Sequence, residues 1–176
     1  RHASGVRFLL ASEKPSAKVL VAQVDQYVVI LARLVTLANF VILDLGNGIF
    51  PFTQKILPSC HQCLIVTEPS PNTVFHTRVL INDLKQMGVE ESRLKVVLNN
   101  RVRSETILPP IEVQNRLAHP MAVTIIPAPE LFHIALRSKT LPFLVQRDNL
   151  AMRQIEKLAA LVRSQQKAPN QGIPPS

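Results

Sequence analysis

One carboxylate, Asp44, closes an unbroken apolar run and is followed by two glycines, Gly46 and Gly48, in FVILDLGNG at residues 40–48. A strand with no polar residue on either face belongs at the centre of a parallel sheet covered by helices. Ligands bind such sheets at the carboxyl ends of their strands. A carboxylate there can accept hydrogen bonds from the water shell of Mg²⁺, and the glycines leave the next loop free to follow a phosphate. A buried strand ending in a polar loop would use the same residues, so the rest of the chain has to decide.

The second constellation is Cys60-His61-Gln62-Cys63. Two thiols at this spacing can ligate zinc or exchange disulfides. Zinc needs four ligands and the chain has no second pair, so only a site shared between two copies could work. Cys63 opens an apolar run, where a cysteine behaves as a small apolar residue, and a structural role is the expectation. His2, His76, His119 and His133 have no spaced partners and are assigned no chemistry. Arg101 and Arg103, with Arg93 and Lys95 nearby, form the one local basic concentration, which reads as a solvated edge.

Composition narrows the classes. The 176 residues amount to one domain, long enough to bury a core. The charge of +8 and pI near 10.1 admit nucleic acid, an anionic surface or phosphorylated ligands. With one Tyr, seven Phe and no Trp, an aromatic platform for single-stranded nucleic acid is not expected. Two cysteines in an ordinary chain point to a reducing, cytoplasmic setting. The most apolar segment, residues 19–38, is interrupted by Asp25 and Arg33, which argues against a membrane span. The chain begins with Arg1, so it reads as a piece of something longer.

These residues must be positioned by strands alternating with helices. Apolar runs predict five strands, at residues 6–11, 39–45, 63–67, 94–99 and 122–126. Helices are expected at 16–38, 51–57, 73–87, 109–117, 129–137 and 147–163. The first is apolar around most of its circumference, so it is expected to be buried on several sides or to meet a partner. The last carries apolar Leu150, Ile155, Leu158, Leu161 and Val162. Gly88 stops the third helix. Residues 165–176 read as a disordered tail. The fold class is therefore α/β: three layers, a mostly parallel sheet with helices on both faces. Residues 1–164 are expected to form one domain.

Five segments in order resemble the second half of the MinD/ParA-type, or deviant Walker, P-loop ATPases. FLLASEKP at 8–15 looks like their strand exit, and FVILDLGNG like the Walker B strand and start of switch II. CLIVTEPSPNTV at 63–74 is similar to their V-T-x-P strand and helix. KVVLNNRV at 95–102 resembles the V-L-N-R strand end, and IIPAPELFHIALRSKTLPFL at 125–144 the I-P-x-D segment. Within the family the pattern sits nearest the pilus-assembly branch, CpaE or TadZ.

The resemblance implies ATP and Mg²⁺ as cofactors. Asp44 would orient water on Mg²⁺, and Gly46 or Gly48 would let the loop sense the γ-phosphate. Asn99, or Asn100 one residue on, would bond the adenine edge. Either could equally cap a turn. Arg101 would stack on the base or face solvent, and Pro127 would line the adenine loop or simply end a strand. No residue is expected to ligate metal directly.

The departures matter as much. No G-x-x-x-x-G-K-[ST] phosphate loop exists, because all five glycines (5, 46, 48, 88 and 172) lie far from any such lysine. The family's D-x-P becomes Asp44-Leu45-Gly46, the acid after I-P becomes Ala128-Pro129, and Leu141 replaces Gly before Pro142. The phosphate loop is therefore expected upstream of this chain or lost, and the chain as given should not hydrolyse ATP.

By resemblance the intact protein is a localisation or assembly factor, pilus-related, whose nucleotide-bound form is a homodimer that protein partners read. It would be cytoplasmic or peripheral at an inner membrane. A scaffold that has lost nucleotide turnover is the alternative. A basic DNA-binding partitioning protein is the second alternative, although nucleic acid is not the expected partner.

Overall fold

A computed structural model of the chain describes residues 5–10, 24–102, 104 and 107–164. Two compact units divide it, Arg1–Ser59 and Cys60–Ser176.

The second unit holds the sheet. Its elements run β1 (Cys63–Thr67), α3 (Pro71–Gln86), β2 (Leu94–Asn99), α4 (Pro110–Leu117), β3 (Met121–Ile125), α5 (Pro129–Arg137), α6 (Pro142–Val145) and α7 (Leu150–Ser164). The strands lie in the order β1-β2-β3, all parallel. Parallel neighbours need a long crossover, and α3 and α4 are those crossovers.

Local chemistry starts and stops each helix. Ser70 caps α3 by accepting from the Thr73 N–H at 3.4 Å, ahead of Pro71 in the first turn. The helix buries Val74, Thr77, Ile81 and Leu84, whose spacing puts them on one face. Gly88, at φ 85°, then turns the chain, and Val89 N–H returns to the Leu84 carbonyl at 3.0 Å. Ala118 ends α4 in the same left-handed conformation without being glycine, at φ 51°.

Successive strand residues face opposite sides, and both sides of the sheet are covered. Thr67 shares its face with its ladder partner Leu98 and meets Thr77 of α3 at 2.8 Å. On the other face Ile125 packs against Ala128, Leu131, Ala151 and Met152 of the α5–α7 layer. The central strand β2 accordingly buries Val96, Val97 and Leu98. At the sheet edge the expected two-sided burial fails, because Leu64 and Val66 of β1 are exposed, Val66 by 62%.

The first unit is helical. α1 (Val24–Leu37) and α2 (Pro51–Ile56) meet through Tyr27 stacked on Phe52 at 5.0 Å and an Asp25–Lys55 ion pair at 2.5 Å. The Arg7 guanidinium donates to the Leu37 carbonyl. No residue of α1 is fully buried, so the expected burial on several sides is not met within this unit. The expected helix over 16–23, strand residue 11 and tail 165–176 lie outside the described residues.

Among the described residues two of the five predicted strands do not form. Residues 6–10 and 39–45 join no sheet, and Ile42, central to the second run, is 90% exposed. Residues 40–44 keep the alternation of a strand, with Val41 and Leu43 half-buried between exposed neighbours. A strand also needs an adjacent backbone that pairs its N–H and C=O groups in a regular ladder, and among the described residues these two runs form no such ladder.

Candidate functional site

The carboxyl ends of the three strands gather the polar residues of the second unit. β1 exits into Glu68 and Pro69, β2 into Asn100 and Arg101, and β3 into Ile126 and Pro127. An open cleft of about 360 Å³ lies against the β3 exit. Its walls are Ile126 to Ala128, Glu130, Leu131 and Ile134 on one side, with Val145, Gln146, Asn149 and Leu150 on the other.

Each wall is held by a specific bond. The Ile126 N–H donates to Gln154 Oε1 of α7 at 2.8 Å, which fixes the chain where it leaves the sheet. Asn149 caps α7, accepting from the Ala151 N–H at 3.0 Å. The Arg147 guanidinium lies over the Phe143 ring, 5.1 Å from its centre.

The two asparagines are placed differently. Asn99 is the last ladder residue of β2, opposite Ile125. Asn100 donates its N–H to the Ile125 carbonyl at 2.9 Å, beside the first cleft residue. Its side-chain oxygen Oδ1 is buried with no hydrogen-bond partner among the described residues. A buried polar atom left in that state costs about 1–3 kcal/mol and marks a place where a donor fits.

Arg101 pairs with Glu68 at 3.1 Å, with both side chains largely in solvent. This bridge ties the loops after β1 and β2 together. Pro127 lines the cleft.

Asp44, Gly46 and Gly48 belong to the first unit. The Asp44 carboxylate is exposed and accepts the N–H of Gly46 at 3.0 Å. Gly46 and Gly48 have φ of 65° and 99°, which other residues adopt only with strain. Among the described residues no three His, Cys, Asp or Glu groups converge to hold a metal ion.

Sequence reasoning passed over Glu68, Asn149 and Gln154. Asn149 carried a readable signal, an Asx residue just before an apolar helical repeat. It moves the expected helix start from 147 to 150. Gln154 carried none, because its partner lies 28 residues away.

No protein-family model matches the sequence, and no curated protein matches it. Solved structures do. A ParA family ATPase from Chlorobium tepidum TLS superposes with a TM-score of 0.71 at 19% identity, over 86% of this chain and 62% of that one. The MinC:MinD cell division protein complex of Aquifex aeolicus gives 0.65 at 17% identity, over 85% and 62%. The septum site-determining protein MinD of Pyrococcus horikoshii OT3, complexed with Mg-ADP, gives 0.56 at 20% identity, over 66% and 47%. The chain thus spans between about half and three-fifths of the structures it matches. It has a MinD/ParA-type, P-loop NTPase-like α/β fold. Among the described residues no helix is long and apolar enough to cross a membrane.

Proposed function

We propose that the second unit carries the base-binding end of an adenine-nucleotide site, and that the intact protein is a nucleotide-dependent localisation or assembly factor of the MinD/ParA type. The observation that supports this reading is the buried, unpartnered Oδ1 of Asn100 beside the exit of β3. That atom accepts only, so it matches a base carrying an exocyclic amine on the facing edge. Adenine presents one where guanine presents a carbonyl. Pro127 and its neighbours form an apolar wall for the flat base, and the Arg101–Glu68 bridge holds the adjoining loops. Asn100, and not Asn99, then takes the base-reading role.

ATP would supply the binding energy of its base to these residues, while its phosphates would be held by groups that this sequence does not contain. Asp44 is the residue offered to the water shell of Mg²⁺, with Gly46 and Gly48 as its loop. In this reading the intact protein dimerises on nucleotide and is read by a protein partner, as the presence of MinC with MinD in one matched complex suggests. Pilus assembly is the machine that the sequence resemblance favours.

The test is an NMR titration of the ¹⁵N-labelled chain with adenosine and, separately, guanosine. Adenosine should shift the amides of residues 99–101 and 125–127 and bind at least about tenfold more tightly than guanosine, the equivalent of one good hydrogen bond. Asn100→Leu should abolish the difference. Equal shifts for both nucleosides, or none, would sink the assignment.

A scaffold without turnover is the second reading. It is favoured by the altered Asp44-Leu45-Gly46 segment, whose carboxylate is engaged with its own loop. Adenosine binding without any measurable ATP hydrolysis in a chain extended upstream would favour it.

A further inference from the structure

Cys60 and Cys63 lie outside the candidate site, and the geometry that holds them is specific. Cys63 is the first residue of β1 and pairs with Leu94 across the ladder. Cys60 is held by the residue before that partner, because the Arg93 guanidinium donates to the Cys60 carbonyl. Both cysteines are therefore fastened to the same Arg93-Leu94 dipeptide, and the chain between them bends at His61. Both are thiols and both are half-buried, which leaves them reachable from solvent.

We propose that Cys60 and Cys63 form a redox-active dithiol that closes to a disulfide by exchange with a small disulfide such as oxidised glutathione. A C-x-x-C pair can satisfy the short Cβ–Cβ separation that a disulfide demands when the backbone turns between the two residues. Burial raises the pKa of both thiols, so both are protonated at neutral pH. Cys60 is raised further by the neighbouring Cys63, while the Arg93 charge opposes the rise at each.

The step balances as two exchanges. One cysteine thiolate attacks one sulfur of oxidised glutathione, and one glutathione thiolate leaves with the electron pair. The other cysteine loses its proton and attacks the sulfur of the first, forming the Cys60–Cys63 bond and expelling the second glutathione thiolate. The protein loses two electrons and two protons, and one disulfide becomes two thiols. The closed loop is short, so it removes little chain entropy from the unfolded state. Its effect is local, clamping the entry to β1 against Arg93.

The test is to incubate the folded full chain with oxidised glutathione at mildly alkaline pH, block the remaining thiols with N-ethylmaleimide and measure intact mass. Closure predicts a chain two hydrogens lighter, with no glutathione and no maleimide attached. Cys60→Ser and Cys63→Ser should each stop at one bound glutathione, because the second thiol is missing. Two glutathione adducts on the unmodified sequence, persistent maleimide labelling of both cysteines, or a disulfide between two chains would each overturn the proposal.

Discussion

Thr77 Oγ1 of α3 lies 2.8 Å from Thr67 Oγ1 of β1 and 2.8 Å from the carbonyl of Thr73, with both threonines buried. Thr77 is the donor toward both oxygens, so its one hydroxyl proton is shared between the Thr67 hydroxyl and the Thr73 carbonyl. This pair joins a helix to the sheet through polar atoms in an otherwise apolar layer.

Thr77→Val should therefore destabilise the protein by about 1–3 kcal/mol, because it strands the Thr67 hydroxyl in the core. Thr67→Val/Thr77→Val should recover most of that loss, since two methyls of the same shape replace the bonded pair. Urea denaturation of the single and double variants checks the coupling, and strictly additive losses would contradict it.

The two apolar runs of the sequence should respond oppositely to truncation. Leu98, buried in the central strand, should cost about 2–5 kcal/mol when changed to Ala. Ile42, in an equally apolar run but 90% exposed, should change stability by no more than about 0.5 kcal/mol. The comparison requires only thermal melts, and a large loss for Ile42→Ala would show that the run is covered.

Acid should weaken one surface contact in a predictable direction. Glu91 is held below the usual carboxylate range, first by its hydrogen bond and charge contact with Lys85 at 2.8 Å and to a smaller extent by His119. A depressed folded-state pKa means that the contribution is present above the ordinary carboxylate pKa, near about 4.3, and disappears as pH falls through the lower folded value. Glu91→Gln should accordingly flatten the acid limb of a melting-temperature profile below about pH 4.5 and leave the neutral limb unchanged.

Asn100 gives a prediction about stability as well as binding. Its Oδ1 has lost water without gaining a donor among the described residues, so Asn100→Leu should leave stability unchanged or raise it by about 1 kcal/mol. A loss above about 2 kcal/mol in urea denaturation would show that the side chain is bonded structurally and is not waiting for a ligand.

Much of the second unit was legible because its signals are local. The cap at Ser70, the stop at Gly88, Pro129 opening α5 and the apolar runs at β1, β2 and β3 all report on residues a few positions away. Strand 94–99 and helix 129–137 are found at their expected bounds for that reason. The candidate site was half legible: Pro127 and the asparagines were singled out, but Gln154 and Glu68 reach their partners across 28 and 33 residues. No periodicity encodes such a meeting.

The sequence by itself determined which segments could be strands and helices, that the sheet would be parallel, and that no glycine–lysine phosphate turn is present. Only the tertiary structure decided which apolar runs enter the sheet. Residues 63–67 and 40–43 are both apolar runs, yet one pairs with β2 and the other, among the described residues, enters no strand ladder. Hydrophobicity states how much burial a segment gains, but a strand exists only where a second backbone stands beside it to take its hydrogen bonds. The same limit separated Asn99 from Asn100. Which of two adjacent side chains lies buried without a partner depends on the register of β2 against β3.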